Sequence, residues 1–500
     1  MHTSITTLGE LKKSGWESVS VKEEMRRNLI KKIEKKEPLF PGILGYDKSV
    51  IPQIQQAILA RHDLILLGLR GQAKTRILRT LTDFLDEYLP FIEGSEINDD
   101  PLNPVSVFGR KQVTELGDKT PIAWLHRSSR YGEKLATPDT TVADLIGDLD
   151  PIKAAANRLN LSDEQVINFG LIPAANRGIF VINELPDLQP RIQVALLNIM
   201  QERDIQIRGF NIRIPLDLMM AFSANPEDYT NRGNIITPLK DRIDSQIITH
   251  YPTELETGKK ITSQEAWVDR NSKIRVHVPE SYLDILEYVA FEARKSEYVD
   301  QKSGVSTRMN ITAMEQMVSS AERRALINGE KETTLRITDL YSIIPALTGK
   351  LELVYEGEQE GAINVAKHLV GRAVSLVFKS HYPDPKSKKE GEKNPFNDLI
   401  AWFTAGNDAE LSSIMTEKEY KAELDKVEGL KKLVTDTIKP KKEDLYAWMD
   451  LTLEGLHQNS ILGRVEMDGK SVYSDMLGSY LGSMSDFDDE DEDEDYFQGQ

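Results

Sequence analysis

The apolar run Leu64-Ile65-Leu66-Leu67 leads straight into Gly68-Leu69-Arg70-Gly71-Gln72-Ala73-Lys74-Thr75, and a helix-compatible segment, Arg76 to Leu85, follows. Strand, glycine-rich turn and helix in that order constrain the fold more than any other stretch, because this is the context a phosphate-binding loop requires. In such a loop the backbone N–H groups at the helix start cradle phosphate oxygens, Lys74 reaches the β and γ oxygens, and Thr75 ligates Mg²⁺. Gly68, Gly71, Gln72, Ala73 and Arg76 complete the set expected to contact the nucleotide, with ATP and Mg²⁺ as the implied ligands. One letter departs from the pattern: Ala73 stands where a glycine is usual. The competing reading is a glycine turn with an incidental lysine.

A chain of 500 residues suggests about three domains. No apolar run approaches the roughly 18 to 20 residues of a membrane helix, and Met1 to Glu10 carries no charged-then-apolar signal pattern. The expectation is a cytoplasmic protein without membrane insertion. With no cysteine, disulfides, thiolate metal sites and cysteine nucleophiles are excluded. The formal charge is -18, of which nine negatives fall between Asp486 and Asp495. The rest of the chain gives no electrostatic reason to expect nucleic-acid binding.

Residues 1–38 read as a charged N-terminal arm or leading helix, closed by Pro38-Leu39-Phe40-Pro41-Gly42. From residue 39 to 252, short apolar runs alternate with helical patterns, as in a parallel α/β sheet. Leu64 to Leu67, Gly178 to Ile182 and Leu218 to Phe222 read as its buried strands. Residues 253–379 are dominated by helical periodicity, including Tyr282 to Arg294, Ile311 to Ile327 and Ile363 to Phe378. A proline- and lysine-containing hinge at 380–395 leads to a helical accessory region over 396–480, and 481–500 is an acidic, low-complexity tail expected to be disordered.

Two further strands bring polar side chains to their C-terminal ends, where ligands of open α/β sheets collect. Gly178-Ile179-Phe180-Val181-Ile182 ends in Asn183-Glu184. In phosphate-loop enzymes this pair is usually Asp-Glu, the first holding Mg²⁺ through water and the second orienting the attacking water. Glu184 can take the second role. Asn183 can accept from a metal-bound water but brings no charge, so weaker Mg²⁺ retention or slower turnover is expected. Met219 to Ala224 ends in Asn225-Pro226, whose amide can hydrogen-bond the γ-phosphate or the lytic water. Arg242, after Leu239-Lys240-Asp241, is in this series a candidate arginine finger reaching a neighbouring subunit's site.

Taken together, Gly68 to Thr75, Ile179 to Glu184, Asn225-Pro226, Leu239 to Arg242 and Val305-Ser306-Thr307-Arg308 resemble the motif series of AAA+ ATPases. More narrowly, the chain resembles the group of the magnesium-chelatase ATPase subunit and the MoxR proteins. That placement rests on Ala136 to Asp139, Leu145 to Asp150, Gly170 to Gly178 and Leu196 to Arg203, and on the Ala-Lys form of the loop. The resemblance covers roughly residues 39 to 378. It implies a P-loop AAA+ parallel-sheet core, a helical lid and a homo-oligomeric, hexameric ring with ATP between subunits. Lys74, Thr75 and Glu184 would act from one protomer and Arg242 from the next, with Arg308 as a second sensor in the lid.

Asp204 to Ile214 alternates around Gly209 and should form a β-hairpin, with Arg208 and Phe210 at its tip. It is either structural or, by the resemblance, an inserted hairpin facing a pore or partner. Residues 92–135 are irregular, contain the basic run Arg127 to Arg130, and look like an insertion for partner contact or a passive loop. The function the resemblance implies is ATP-driven remodelling or assembly of a protein client, such as one with a von Willebrand A-type domain. A magnesium-chelatase-type motor for metal insertion is the alternative. A σ54-type transcription activator ranks last, because no Gly-Ala-Phe-Thr-Gly-Ala loop lies between Lys74 and Glu184 and the acidic C-terminus would repel DNA.

Overall fold

The computed structural model describes residues 3–160, 163–206, 213–226, 234–270, 273–386, 394–467 and 470–476. The acidic tail and the hairpin tip with Arg208 and Phe210 lie outside them. The chain divides into two compact units, Met1–Tyr251 and Pro252–Gln500.

Five parallel strands form the centre of the first unit: β1 (Leu64–Leu67), β2 (Tyr131–Leu135), β3 (Gly178–Asn183), β4 (Leu218–Ala224) and β5 (Ser245–Ile248). Their order across the sheet is β5-β1-β4-β3-β2. The inner strands β3 and β4 are buried throughout, as expected where helices cover both faces of a parallel sheet. Alternate residues serve opposite cores. Ile65, Phe180, Ile182, Met220 and Phe222 pack on one face, together with Ile192, Leu196 and Ile199 of a helix over Pro190–Gln201. Leu64, Leu66, Ile179, Val181, Met219 and Ala221 pack on the other. There they meet helices α1 (Val21–Glu34), α2 (Val50–Leu59) and α3 (Lys74–Thr80).

Two strands go beyond the sequence reading. β2 lies inside the stretch that reads as irregular, and the segment of β5 gives no strand signal. Both are the sheet's edges, so each carries a mixed rather than an apolar sequence, Tyr-Gly-Glu-Lys-Leu and Ser-Gln-Ile-Ile. The remainder of 92–135 is also ordered. It holds a helix over Val107–Leu116 and a strand, Ile122–His126, that pairs antiparallel with Tyr88–Ile92.

The last residue of the basic run ahead of β2 is a core residue, not surface charge. Arg130 is 1% exposed and forms a two-pronged pair with Glu24 of α1, 2% exposed, at 2.7 and 2.6 Å. Its Nε and Nη2 also donate to the Arg177 carbonyl. Lys22 pairs with buried Asp63 at 2.8 Å, and the Val21 amide donates to Asp217. Helix α1 is thus part of the core, with Val21, Met25 and Leu29 buried.

The second unit contains helices over Glu280–Ala293, Arg308–Asn328, Ala362–His381 and Leu445–Gln458. One hydrophobic core runs through it from Tyr282 to Tyr473, so elements on both sides of 380–395 share the same interior. The region after 396, helical by its sequence pattern, also carries a three-stranded antiparallel sheet of Ala409–Ser412, Lys470–Ser474 and Gly463–Met467. Among the described residues no helix is long and apolar enough to cross a membrane.

Removing one partner of a buried ion pair strands the other's charge, at a cost of about 3 to 5 kcal/mol. Glu24→Ala should lose about that much stability in urea unfolding followed by tryptophan fluorescence, whereas Glu23→Ala, half-buried and paired at 3.4 Å with solvent-facing Arg26 and Arg61, should stay within about 1 kcal/mol. Equal effects at the two positions would refute a structural role for the Glu24–Arg130 pair.

Candidate functional site

The loop leaves β1 at the C-terminal edge of the sheet and enters α3 at Lys74. Helix α3 ends at Thr80 and a 3₁₀ turn continues over Leu81–Phe84, inside the segment whose pattern suits one helix. Gly71 and Ala73 both take left-handed backbone conformations, at φ 75° and 57°. Such positions favour glycine, so Ala73 carries a steric cost that the usual residue avoids. The loop is curled tightly enough that a Cβ at Gly68 would collide with Thr249 Oγ1 and Gln72 Oε1.

Lys74 is 8% exposed, and its ammonium donates to the carbonyls of Gly68 and Leu69. Thr75, next to it, is half-buried, and Arg76 is exposed. The loop's outer side is braced. The Tyr46 hydroxyl lies 3.0 Å from the Gln72 carbonyl and 2.7 Å from that of His250, and Tyr251 donates to the Arg70 carbonyl at 2.9 Å. Thr249 donates to Gln72 Oε1 at 2.6 Å. Burial pushes the Tyr46 hydroxyl up to about 12, so it stays a donor throughout the neutral range.

Strand register brings the other tips to this loop. Leu67 lies opposite Ala224 and Phe222 opposite Ile182, and the Gly68 amide donates to the Ala224 carbonyl at 3.1 Å. Asn225 therefore follows directly at the loop, half-buried. Glu184, beyond β3, is half-buried in a left-handed conformation at φ 53°. A non-glycine residue held there stores backbone strain, a state found disproportionately where a side chain must be aimed.

Asn183 ends β3 at the same edge. It is 7% exposed and both ends of its amide are engaged. Its Nδ2 donates to Glu133 Oε1 of β2 at 2.6 Å, and its Oδ1 accepts from Ser223 Oγ of β4 at 2.8 Å. The structure thus joins Gly68 to Thr75, Asn183, Glu184 and Asn225 at one edge. Arg242 ends a helix over Thr237–Arg242, where its guanidinium donates to Gln201 Oε1 and to the Pro238 carbonyl. Arg308 belongs to the second unit and opens its helix there, exposed, with its amide donating to Ser306 Oγ. Of the hairpin, Asp204–Gln206 pairs antiparallel with Arg213–Pro215.

A model of the sigma-54 interaction domain matches residues 162–249, which contain β3, β4 and β5. Magnesium-chelatase subunit ChlI of Guillardia theta is 27% identical over 246 residues, 47% of this chain and 65% of that protein. The magnesium-chelatase 38 kDa subunit of Cereibacter sphaeroides is 27% identical over 238 residues, 46% of this chain and 64% of its own. Over these stretches the chain is similar to magnesium-chelatase ATPase subunits and to the sigma-54 interaction domain. It spans slightly less than two thirds of the length of these curated relatives. Among solved structures, a model of the complex between subunits BchI and BchD of magnesium chelatase is similar at 18% identity, covering 65% of this chain and 99% of that one, with a TM-score of 0.32.

At this edge of the first unit, sequence reasoning missed Glu133, Ser223, Tyr46, Thr249 and Tyr251. None belongs to a phosphate-loop motif; they act through contacts to motif residues. Tyr131–Leu135 gives no alternation that would have placed Glu133 there.

The left-handed Ala73 makes a prediction of sign. Relief of about 1 to 2 kcal/mol of backbone strain should outweigh about 0.4 to 1 kcal/mol of added freedom in the unfolded chain. Ala73→Gly should therefore stabilise the first unit by about 0.5 to 1 kcal/mol in chemical denaturation. A variant less stable than wild type would show that Ala73 is not strained.

Proposed function

We propose that this protein binds ATP with Mg²⁺ and hydrolyses it at the subunit interfaces of a ring oligomer, and that turnover remodels or assembles a partner protein as MoxR-type chaperones do. The observation that carries this reading is the convergence of three strand tips on one edge. The Gly68–Thr75 loop follows β1, Asn225 follows β4 and Glu184 follows β3, and the Gly68–Ala224 hydrogen bond and the sheet register tie them together.

The residues suit the nucleotide. A tightly turned loop, a buried ammonium folded onto neutral carbonyls and a neighbouring hydroxyl make an oxyanion cradle. Lys74 would exchange the Gly68 and Leu69 carbonyls for phosphate oxygens and neutralise charge developing there. Glu184 would orient and polarise the attacking water, and the Asn225 amide would hold that water or the γ-phosphate. Mg²⁺, when bound, offsets charge across the β and γ oxygens. The Thr75 hydroxyl and the second lone pair of Asn183 Oδ1 are the groups that would hold it. Arg242, already steered by Gln201, would serve the neighbouring protomer's site, and Arg308 would act as the lid sensor.

A six-membered ring and a client with a von Willebrand A-type domain belong to the same proposal. The second reading, a motor subunit for metal insertion, is favoured by the names of the relatives at 27% identity and uses the same site. The sigma-54 model matches only residues 162–249, a likeness within the ATPase strands.

Three variants test the site. Lys74→Ala should weaken ATP binding at least about tenfold in a fluorescent-nucleotide titration, the loss of one or more charge-assisted hydrogen bonds. Glu184→Gln should keep its affinity and lose about 10² to 10⁴ in turnover. Unchanged binding and turnover in Lys74→Ala would overturn the reading. Rings mixed from Arg242→Ala and Glu184→Gln subunits should recover activity through their intact interfaces; no recovery in verified mixed rings would exclude Arg242 as a residue acting between subunits. Capture on the Glu184→Gln protein in ATP, compared with pull-downs in ADP, should then separate a protein client from a chelatase partner.

A further inference from the structure

The strand tips carry a polar chain that the motif series does not contain. The Glu184 amide donates to Ser223 Oγ at 3.4 Å, Ser223 donates to Asn183 Oδ1 at 2.8 Å, and Asn183 Nδ2 donates to Glu133 Oε1 at 2.6 Å. From the other side, Arg79 Nε of α3 donates to Glu133 Oε2 at 2.8 Å. Every donor points towards Glu133. The chain crosses β4, β3 and β2 and closes on the helix that begins at Lys74.

This direction dictates the residue types. Position 183 must accept from Ser223 and donate to position 133, and among side chains of this size only an amide does both. A carboxylate at 183 would face the Glu133 carboxylate at hydrogen-bond distance, and one of the two would have to take up a proton. Asn183 is therefore the partner that Glu133 demands. The negative charge that an acid at the end of β3 would bring is present one strand away.

We propose that Glu133 is a positioning residue of the ATPase site: through Asn183 and Ser223 it holds the backbone amide of Glu184, and the acid at 133 and amide at 183 form an exchangeable pair. This rests on the ATP-hydrolysis reading above. Exchange preserves each bond on paper. In the double variant Glu133→Gln/Asn183→Asp, the introduced amide at 133 accepts from Arg79 through its oxygen and donates from its nitrogen to the introduced carboxylate at 183. The second oxygen of that carboxylate accepts from Ser223, and the net charge is unchanged. In Asn183→Asp two carboxylates oppose one another; in Glu133→Gln either two donors oppose or the Asn183 amide turns over and Ser223, 1% exposed, loses the acceptor for its hydroxyl proton.

The test uses the full chain as wild type, Glu133→Gln, Asn183→Asp and the double variant. Steady-state ATP hydrolysis, fluorescent-nucleotide titration with and without Mg²⁺, and thermal unfolding are measured on all four. Each single variant should lose about 10- to 100-fold in kcat, as small misplacements of reacting groups do, with KM for ATP within about threefold of wild type. The double variant should return kcat to within about threefold of wild type and restore the Mg²⁺ dependence of nucleotide affinity, the signature of coupled neighbours. A double variant no better than the worse single, or Glu133→Gln at wild-type kcat, overturns the proposal. So does a pair that shifts only the unfolding midpoint, because that is a structural contact without influence on Glu184. If wild type binds nucleotide but turns none over, the functional reading fails instead, and the pairing is judged on the Mg²⁺ dependence of nucleotide affinity: no recovery in the double variant overturns it as well.

Discussion

The position of β4 between β1 and β3 is the constraint on which the first unit depends. Its seven residues are buried throughout, and its register with both neighbours sets where the loop, Asn225 and Glu184 emerge. A parallel strand cannot slip by one residue here without turning Met219 and Ala221 into the core that holds Met220 and Phe222. Packing on both faces therefore fixes the site's geometry before any polar contact forms. The polar contacts then refine it: the Gly68 amide on Ala224, and Ser223 between Asn183 and the Glu184 amide.

Helix α1 adds a second kind of constraint. Its Glu24 and Lys22 meet Arg130 and Asp63 in nearly water-free surroundings, and Glu24 also accepts from the Asp86 amide. Burial raises the Asp63 carboxyl, and Lys22 beside it works in the opposite direction. Such pairs contribute little net stability when complete but tolerate no alternative partner, so they specify where the N-terminal helix lies on the sheet. Helix α1 is in this respect a wall of the first unit.

The central strands and the glycine-rich turn were legible in the sequence because apolar runs such as Gly178 to Ile182 exclude most alternatives, and the long helices of the second unit were legible from their period. The edge strands were not. Tyr131 to Leu135 and Ser245 to Ile248 are half solvated, which removes the apolar signal. For the site, the motif letters located Lys74, Glu184 and Asn225, but the role of Asn183 depended on Glu133, fifty residues earlier and paired with it only through the sheet. Likewise Arg130 reads as surface charge until Glu24 is placed against it. Contacts between distant polar residues leave no periodicity, and the three-stranded sheet over Ala409 to Ser474 escaped notice for a related reason: its strands are four or five residues long.

The brace around the phosphate loop has a consequence for how binding is distributed over the molecule. With the Arg70 and Gln72 carbonyls held by Tyr251 and Tyr46, and Gln72 held again by Thr249, the loop has little conformational entropy left to lose when it closes on a ligand. Its hydroxyl clamps come from residues flanking α2 and following β5, so disorder in the loop would require disturbing the sheet itself. A stationary cradle of this kind cannot signal its own occupancy. Movement of the loop backbone is tied to movement of the sheet edge that holds it.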